Sequence, residues 1–116
     1  VNNSTSSNIE FEVSVGDLNV TMIDVEASFS QTGDGIELIK AIGSGSIQAT
    51  LDRVTANANA LDGLDTVNSF GQIMISNSEF CGNSDDDIEN DFSIASTNMV
   101  TCDQIDGTNT AGLSCT

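Results

Sequence analysis

The 116-residue chain contains no His, Pro, Trp or Tyr, and its only basic side chains are Lys40 and Arg53. The missing His removes imidazole from any catalytic or metal-binding scheme, including every Ser/His/Asp or Cys/His arrangement. Two cations cannot build the Lys/Arg clusters that phosphate backbones or anionic membrane surfaces require, so nucleic acid and membrane are excluded as direct partners. No apolar run approaches the ~20 residues of a membrane-spanning helix. No Gly-rich loop that could cradle phosphate is present. Without Trp and Tyr, the usual stacking platforms for sugars are missing too.

What is abundant is acid and small polar residues. Asp and Glu number 18, the formal net charge is −16, and Ser, Thr and Asn together account for 38 positions. Such a composition leans towards disorder. Against it stand the absence of Pro, an apolar content of 38% and the regular spacing of Ile, Val and Leu. The first eight residues, VNNSTSSN, read as a loose lead-in. For this length one domain is expected, with a modest core.

The periodicity is that of strands. Ile9, Phe11, Val13 and Val15 alternate with Glu10, Glu12 and Ser14, which predicts a half-buried strand. Val20, Met22 (or Ile23) and Val25 suggest a second, and Ile36, Leu38 and Ile42 a weaker one. Ile47, Ala49 and Leu51 alternate again, as do Ile73 and Ile75, followed by Ile88, Phe92 and Ile94. No stretch carries a sustained 3.6-residue stripe with caps. The chain is therefore expected to be all-β.

Three segments superpose: IDVEASFSQTGDGIEL from Ile23, LDRVTANANALDGLDT from Leu51 and ISNSEFCGNSDDDIEN from Ile75. Shared columns are Ile23/Leu51/Ile75, Gln31/Asn59/Asn83, Asp34/Asp62/Asp86, Gly35/Gly63/Asp87 and Ile36/Leu64/Ile88. Each copy is a short apolar strand, a polar turn, an Asp-Gly bend expected to use φ > 0, and an aliphatic residue opening the next strand. One copy cannot bury its inner face alone, whereas stacked copies can. Equivalent residues then form ladders at the ~4.8 Å strand spacing. The expected architecture is a short right-handed parallel β-helix of triangular section, about four rungs of 24–28 residues, the hand following the crossover rule. Residues 1–18 are read as a lead-in or capping segment, 19–101 as the rungs and 102–116 as a Cys-bracketed tail.

The segments QTGDGIEL, ALDGLDT and NSDDDIEN resemble the N-x-x-DG-aliphatic rungs of right-handed parallel β-helix repeat proteins, the pectate-lyase-like superfamily. The match spans residues 23–92, and the last rung departs from it where Asp87 replaces Gly. The terminal TCDQIDGTNTAGLSCT is similar to the Cys-bearing ends of secreted β-helix domains from marine microalgae. The superfamily includes lyases and glycosidases. A pectate-lyase-like mechanism, however, needs clustered cations on substrate carboxylates, and Lys40 and Arg53 fall at unrelated places in the repeat. A glycosidase needs two suitably spaced carboxylates, for which Asp62 with Asp65, or Asp86 with Asp87, would serve formally.

Cys102 and Cys115 bracket a Gly/Thr/Asn-rich loop, and a disulfide there would fasten the C-terminal tail, worth ~3 kcal/mol in the entropic model. The alternative is reduced thiols in a cytosolic protein. Cys81 is left over, either buried as a small apolar residue or paired with another chain. Sequons occur at Asn2-Asn3-Ser4, Asn3-Ser4-Thr5 and Asn19-Val20-Thr21. With no initiating Met or signal peptide, the chain reads as processed or as a fragment, in an extracytosolic place: secreted, cell surface or organelle lumen.

The densest candidate site is Asp85, Asp86, Asp87, Glu89 and Asp91, hard oxygen donors that suit Ca²⁺, set against a plain solvated acidic turn. It is not an EF-hand loop, because the acids are consecutive and the central Gly is missing. The Asp34/Asp62/Asp86 ladder adds like charges that a cation or hydrogen bonds would relieve, although Asp also serves turns with no metal at all. Thr21, Thr50, Thr55 and Thr66 fall in no common column, which speaks against an ice-binding face. Phe70, Phe80 and Phe92 are assigned to core packing, with exposure as the sign of a protein interface. The expected function is a non-catalytic structural or interaction module with an acidic face and calcium as its possible cofactor. Its partner would be a protein or a polysaccharide, or a larger assembly in which it is an accessory subunit. A polysaccharide-binding or polysaccharide-degrading protein is the runner-up.

Overall fold

The computed structural model describes residues 5–113 and 115, and within them the chain forms nine strands and no helix. They are β1 (Ile9–Val13), β2 (Leu18–Ile23), β3 (Ile36–Lys40), β4 (Ile47–Asp52), β5 (Leu64–Val67), β6 (Gly71–Glu79), β7 (Ile88–Asn90), β8 (Ser93–Thr101) and β9 (Ile105–Asp106). Odd strands form one parallel sheet in the order β1-β3-β5-β7-β9, and even strands a second in the order β2-β4-β6-β8. Parallel bridges Glu26–Thr55 and Thr55–Glu79 mark a narrow third side. The chain is thus a parallel β-solenoid of about four turns.

Alternation explains the core. Ile36, Leu38, Ile47, Leu51, Leu64, Ile73 and Ile88 are all buried, each the inward member of an in/out pair along its strand. Parallel register stacks them one rung above another: Ile9, Ile36, Leu64, Ile88 and Ile105 in the first sheet, Met22, Leu51 and Ile75 in the second. One inner column turns polar, Leu38 to Thr66 to Asn90. There the Thr66 hydroxyl donates to Asn90 Oδ1 at 2.6 Å, and Asn90 Nδ2 donates to the Phe92 and Asn109 carbonyls. Buried polar atoms therefore keep their partners.

The repeat holds its columns while its length drifts. In the first sheet the step is 27 residues from rung one to two, then 28, then 24, and only 17 at the last. The final rung is short chiefly because the connection from β8 to β9 is cut to residues 102–104, where the equivalent connection from β6 to β7 takes residues 80–87.

Several sequence expectations shift. Met22, not Ile23, stacks on Leu51; Met22 is buried and Ile23 lies outside at 52% exposure. Likewise Ser30, not Gln31, shares the column of Asn59 and Asn83, because the Ser30 amide occupies the position that the Asn59 amide holds one rung on. The first rung carries one extra residue between Ser30 and Asp34, which the superposition of whole segments could not place. Val15 and Ile42 leave the strands and are exposed at corners. Phe80 and Phe92 are core, but Phe70 is 42% exposed.

Gly35 and Gly63 also serve a different purpose from the one expected. Neither has positive φ. A Cβ on Gly63 would stand 2.6 Å from Asn83 Nδ2, 2.6 Å from the Asp87 carbonyl oxygen and 2.8 Å from the Ala56 carbonyl oxygen, so close approach is what demands Gly. The left-handed residues fall elsewhere: Asp24, Arg53, Asn77 and Met99 form one column with φ of 56°, 53°, 50° and 54°, and Phe29, Ala58 and Asn68 lie outside it with φ of 62°, 54° and 72°. Gly63→Ala is expected to lower the thermal midpoint by roughly 10 °C, followed by circular dichroism, because overpacking here meets two backbone oxygens. An unchanged midpoint would mean that the corner yields cheaply.

The tail is fastened as anticipated. Cys102 and Cys115 form a disulfide with Cα atoms 5.0 Å apart, and Cys115 bridges to Val100 on β8. Leu113 and Cys115 pack against the core at that end. At the opposite end β1 and β2 have no described neighbour on their outer flank.

Candidate metal centre

Every strand of the first sheet opens with an aliphatic residue followed by an acid: Ile9-Glu10, Ile36-Glu37, Leu64-Asp65, Ile88-Glu89 and Ile105-Asp106. The aliphatic member points into the core, so period 2 sends its acidic neighbour outward. Parallel register then aligns Glu10, Glu37, Asp65, Glu89 and Asp106 in a single outward ladder across all five strands. The end members are exposed, and the middle three are half-buried by their neighbours.

Beside it runs the expected Asp34/Asp62/Asp86 ladder, at the corner where each strand begins. Asp34 Oδ1 accepts the Asp62 amide at 2.8 Å, and Asp62 Oδ1 accepts the Asp86 amide at 2.7 Å. Asp34 and Asp62 therefore each fix the turn of the next rung with one oxygen. Inward of this corner lies a buried amide ladder: Asn83 Oδ1 accepts from Asn59 N and Nδ2, both at 2.9 Å, and Asn59 Oδ1 accepts from Ser30 N at 2.9 Å. Asp87 ends that ladder. No further Asn follows it, so the room reserved by Gly at Gly35 and Gly63 is filled by Asp87's own carboxylate. That group accepts from Asn83 Nδ2 at 3.0 Å and from the amides of Asp103 and Gln104.

The two acidic ladders converge in two groups. Carboxylate oxygens of Asp34, Glu37 and Asp65 lie within 4.8 Å of one another, as do those of Asp62, Asp86 and Glu89. Of the five acids singled out in the sequence, the structure thus brings together Asp86 and Glu89 and adds Asp62. Asp85 is exposed. The carboxylate of Asp87 is committed inward, and Asp91 Oδ1 accepts from the amide and hydroxyl of Thr108. The first group, with Glu37 and Asp65, was missed; the recurring aliphatic-acid dipeptide at each strand start was the signal that would have found it.

The electrostatics follow from this crowding. Burial, then the charges of Asp34, Glu89, Asp62 and Glu37, push the Asp65 carboxyl up to about 8. Burial leads again at Asp62, pushed to about 7 with Asp34, Glu89 and Asp85 contributing, while the Asp86 amide opposes the rise. Asp34, Glu37, Asp86 and Glu89 are raised too, burial first in each. Neither basic residue relieves them. Lys40 is wholly buried and donates to the Ser14 and Ala41 carbonyls, and Arg53 pairs with Asp24 and Asp52 at a corner of the second sheet. Two like charges ~4.8 Å apart repel by roughly 3 kcal/mol at an effective dielectric near 20. The arrangement offers oxygen ligands only, the donor set of Ca²⁺ rather than of softer metals.

The second sheet presents a different surface. Its outward columns are Asn19/Gln48/Gln72/Ser93 and Thr21/Thr50/Met74/Ser96. Thr21 and Thr50 are therefore rung-to-rung neighbours after all, but Met74 ends the run; Thr55 sits between Glu26 and Glu79 and Thr66 lies in the core. Cys81 is partly exposed, and burial followed by the charges of Glu79, Asp87 and Asp103 holds its thiol protonated. Sequons at Asn2 and Asn3 lie outside the described residues. Comparison with protein-family models, with curated proteins and with solved structures finds no match to this chain.

Proposed function

We propose that this protein is a non-catalytic, extracytosolic interaction module whose acidic sheet binds divalent cations, calcium first, and so docks to a cation-bridged or positively charged protein or polysaccharide. The observation that carries the reading is the five-strand ladder of Glu10, Glu37, Asp65, Glu89 and Asp106 merging with the Asp34/Asp62/Asp86 ladder into two oxygen triads. A dication on each triad would neutralise charges that the fold otherwise crowds together, with water completing the shell. The Cys102–Cys115 disulfide supports an oxidising location. The rung motif supports kinship with the pectate-lyase-like superfamily and a right-handed coil. The acids that converge sit on an open sheet face, which suits a surface contact better than an enclosed reaction.

Equilibrium dialysis against Ca²⁺ tests this. The wild type is expected to bind about two ions with dissociation constants of ~10⁻⁴–10⁻³ M, the range of open extracellular sites. Asp65→Asn should lose one ion and Glu89→Gln the other. Binding that survives both substitutions, or no binding at millimolar calcium, overturns the reading.

A further inference from the structure

Among the described residues one sequon remains, Asn19-Val20-Thr21, and the fold presents it fully. It lies in β2, where Val20 is buried and alternation sends Asn19 and Thr21 to the outer side, both exposed. The Asn19 carboxamide makes no hydrogen bond to any described residue. Asn59, Asn83 and Asn90, by contrast, have theirs locked in the interior. Its neighbours along the ladder are uncharged, Gln48, then Gln72, then Ser93. Among the described residues, the strand is the outermost of its sheet.

We propose that Asn19 is an N-glycosylation acceptor, carrying an oligosaccharide over the neutral sheet. The inference rests on the extracytosolic location proposed above. In the transfer, Asn19 Nδ2 forms a bond to the anomeric carbon of a lipid-pyrophosphate-linked oligosaccharide. The bond from that carbon to the pyrophosphate oxygen breaks with its electron pair, the lipid pyrophosphate leaves, and the amide gives up one proton. The Thr21 hydroxyl, two residues on and on the same side of the strand, supplies the third sequon position. A glycan here leaves the acidic sheet uncovered.

The test is translation of the full chain, behind a secretory leader, with endoplasmic-reticulum microsomes. Enzymatic glycan removal in heavy-oxygen water then marks each occupied Asn for mass spectrometry. Occupancy at Asn19 is expected in the wild type and in Thr21→Ser, and is expected to vanish in Asn19→Gln and Thr21→Ala. A bare Asn19 while a control glycoprotein is modified in the same reaction overturns the proposal. So does a glycosylated chain that has lost its β-type circular dichroism, since the fold would then not accommodate the glycan. Fractionation of source cells separates the premise from the acceptor: recovery from the cytosol would sink the location and glycan attachment in the cell, whatever the microsomes show.

Discussion

In EDTA, the thermal midpoint of this protein is expected to fall by roughly 10 °C as pH rises from about 5 to about 8, even after solvent screening is allowed for. The sign follows from linkage. Six carboxyls on the acidic sheet have their folded-state titration raised above the unfolded range, Asp62 to about 7 and Asp65 to about 8. Between the unfolded and folded values the native state holds more protons, so stability declines as pH climbs through that window. Asp24 and Asp52 act oppositely: hydrogen bonding from Arg53 to Asp24, and from Asn77 to Asp52, lowers them. Their contribution is present above about pH 4 and disappears below it, placing the optimum near pH 4–5.

Calcium at about 2 mM should erase the decline at pH 8, since ligand binding to the native state alone adds ~2 kcal/mol for a site of ~10⁻⁴ M affinity. Scans by circular dichroism at both pH values, with calcium and with EDTA, check this. A midpoint that rises with pH in EDTA would contradict the burial of these carboxyls. A pH dependence that calcium leaves untouched would separate the electrostatics, which would stand, from the metal, which would not.

Leu51→Asp should abolish cooperative unfolding. Leu51 is completely buried between Met22 and Ile75 in the inner column of the second sheet. A carboxyl there finds no partner, and burying it costs at least ~4 kcal/mol, a large share of the 5–15 kcal/mol that holds a domain together. The expected spectrum is that of an unfolded or molten chain, with strong binding of a hydrophobic dye. Ile23→Asn, on the outward side of the neighbouring strand, is expected to stay within ~1 kcal/mol of wild type, whereas Met22→Asn should fail. If Ile23→Asn were the destabilising one of that pair, β2 would be registered one residue away from its place here.

Much of this molecule is legible in its sequence. The alternation at Ile47-Ala49-Leu51 and the columns Ile36/Leu64/Ile88 and Asp34/Asp62/Asp86 are visible there, because period 2 and stacking repeat chemistry leave direct marks on sequence. What the sequence left open was register wherever a rung gains or loses a residue. One extra position before Asp34 moves Met22 inward and Ile23 outward, and local patterning cannot say at which point of a corner the extra residue is absorbed. The site shows the same division. Asp86 and Glu89 stood out through local density, yet their partner Asp62 lies a full rung earlier, and Asp85, Asp87 and Asp91 turn to other tasks. Glu10, Glu37, Asp65, Glu89 and Asp106 are separate dipeptides in the chain. They become one ladder only through parallel pairing, since strand spacing, unlike sequence separation, sets the distance between their charges.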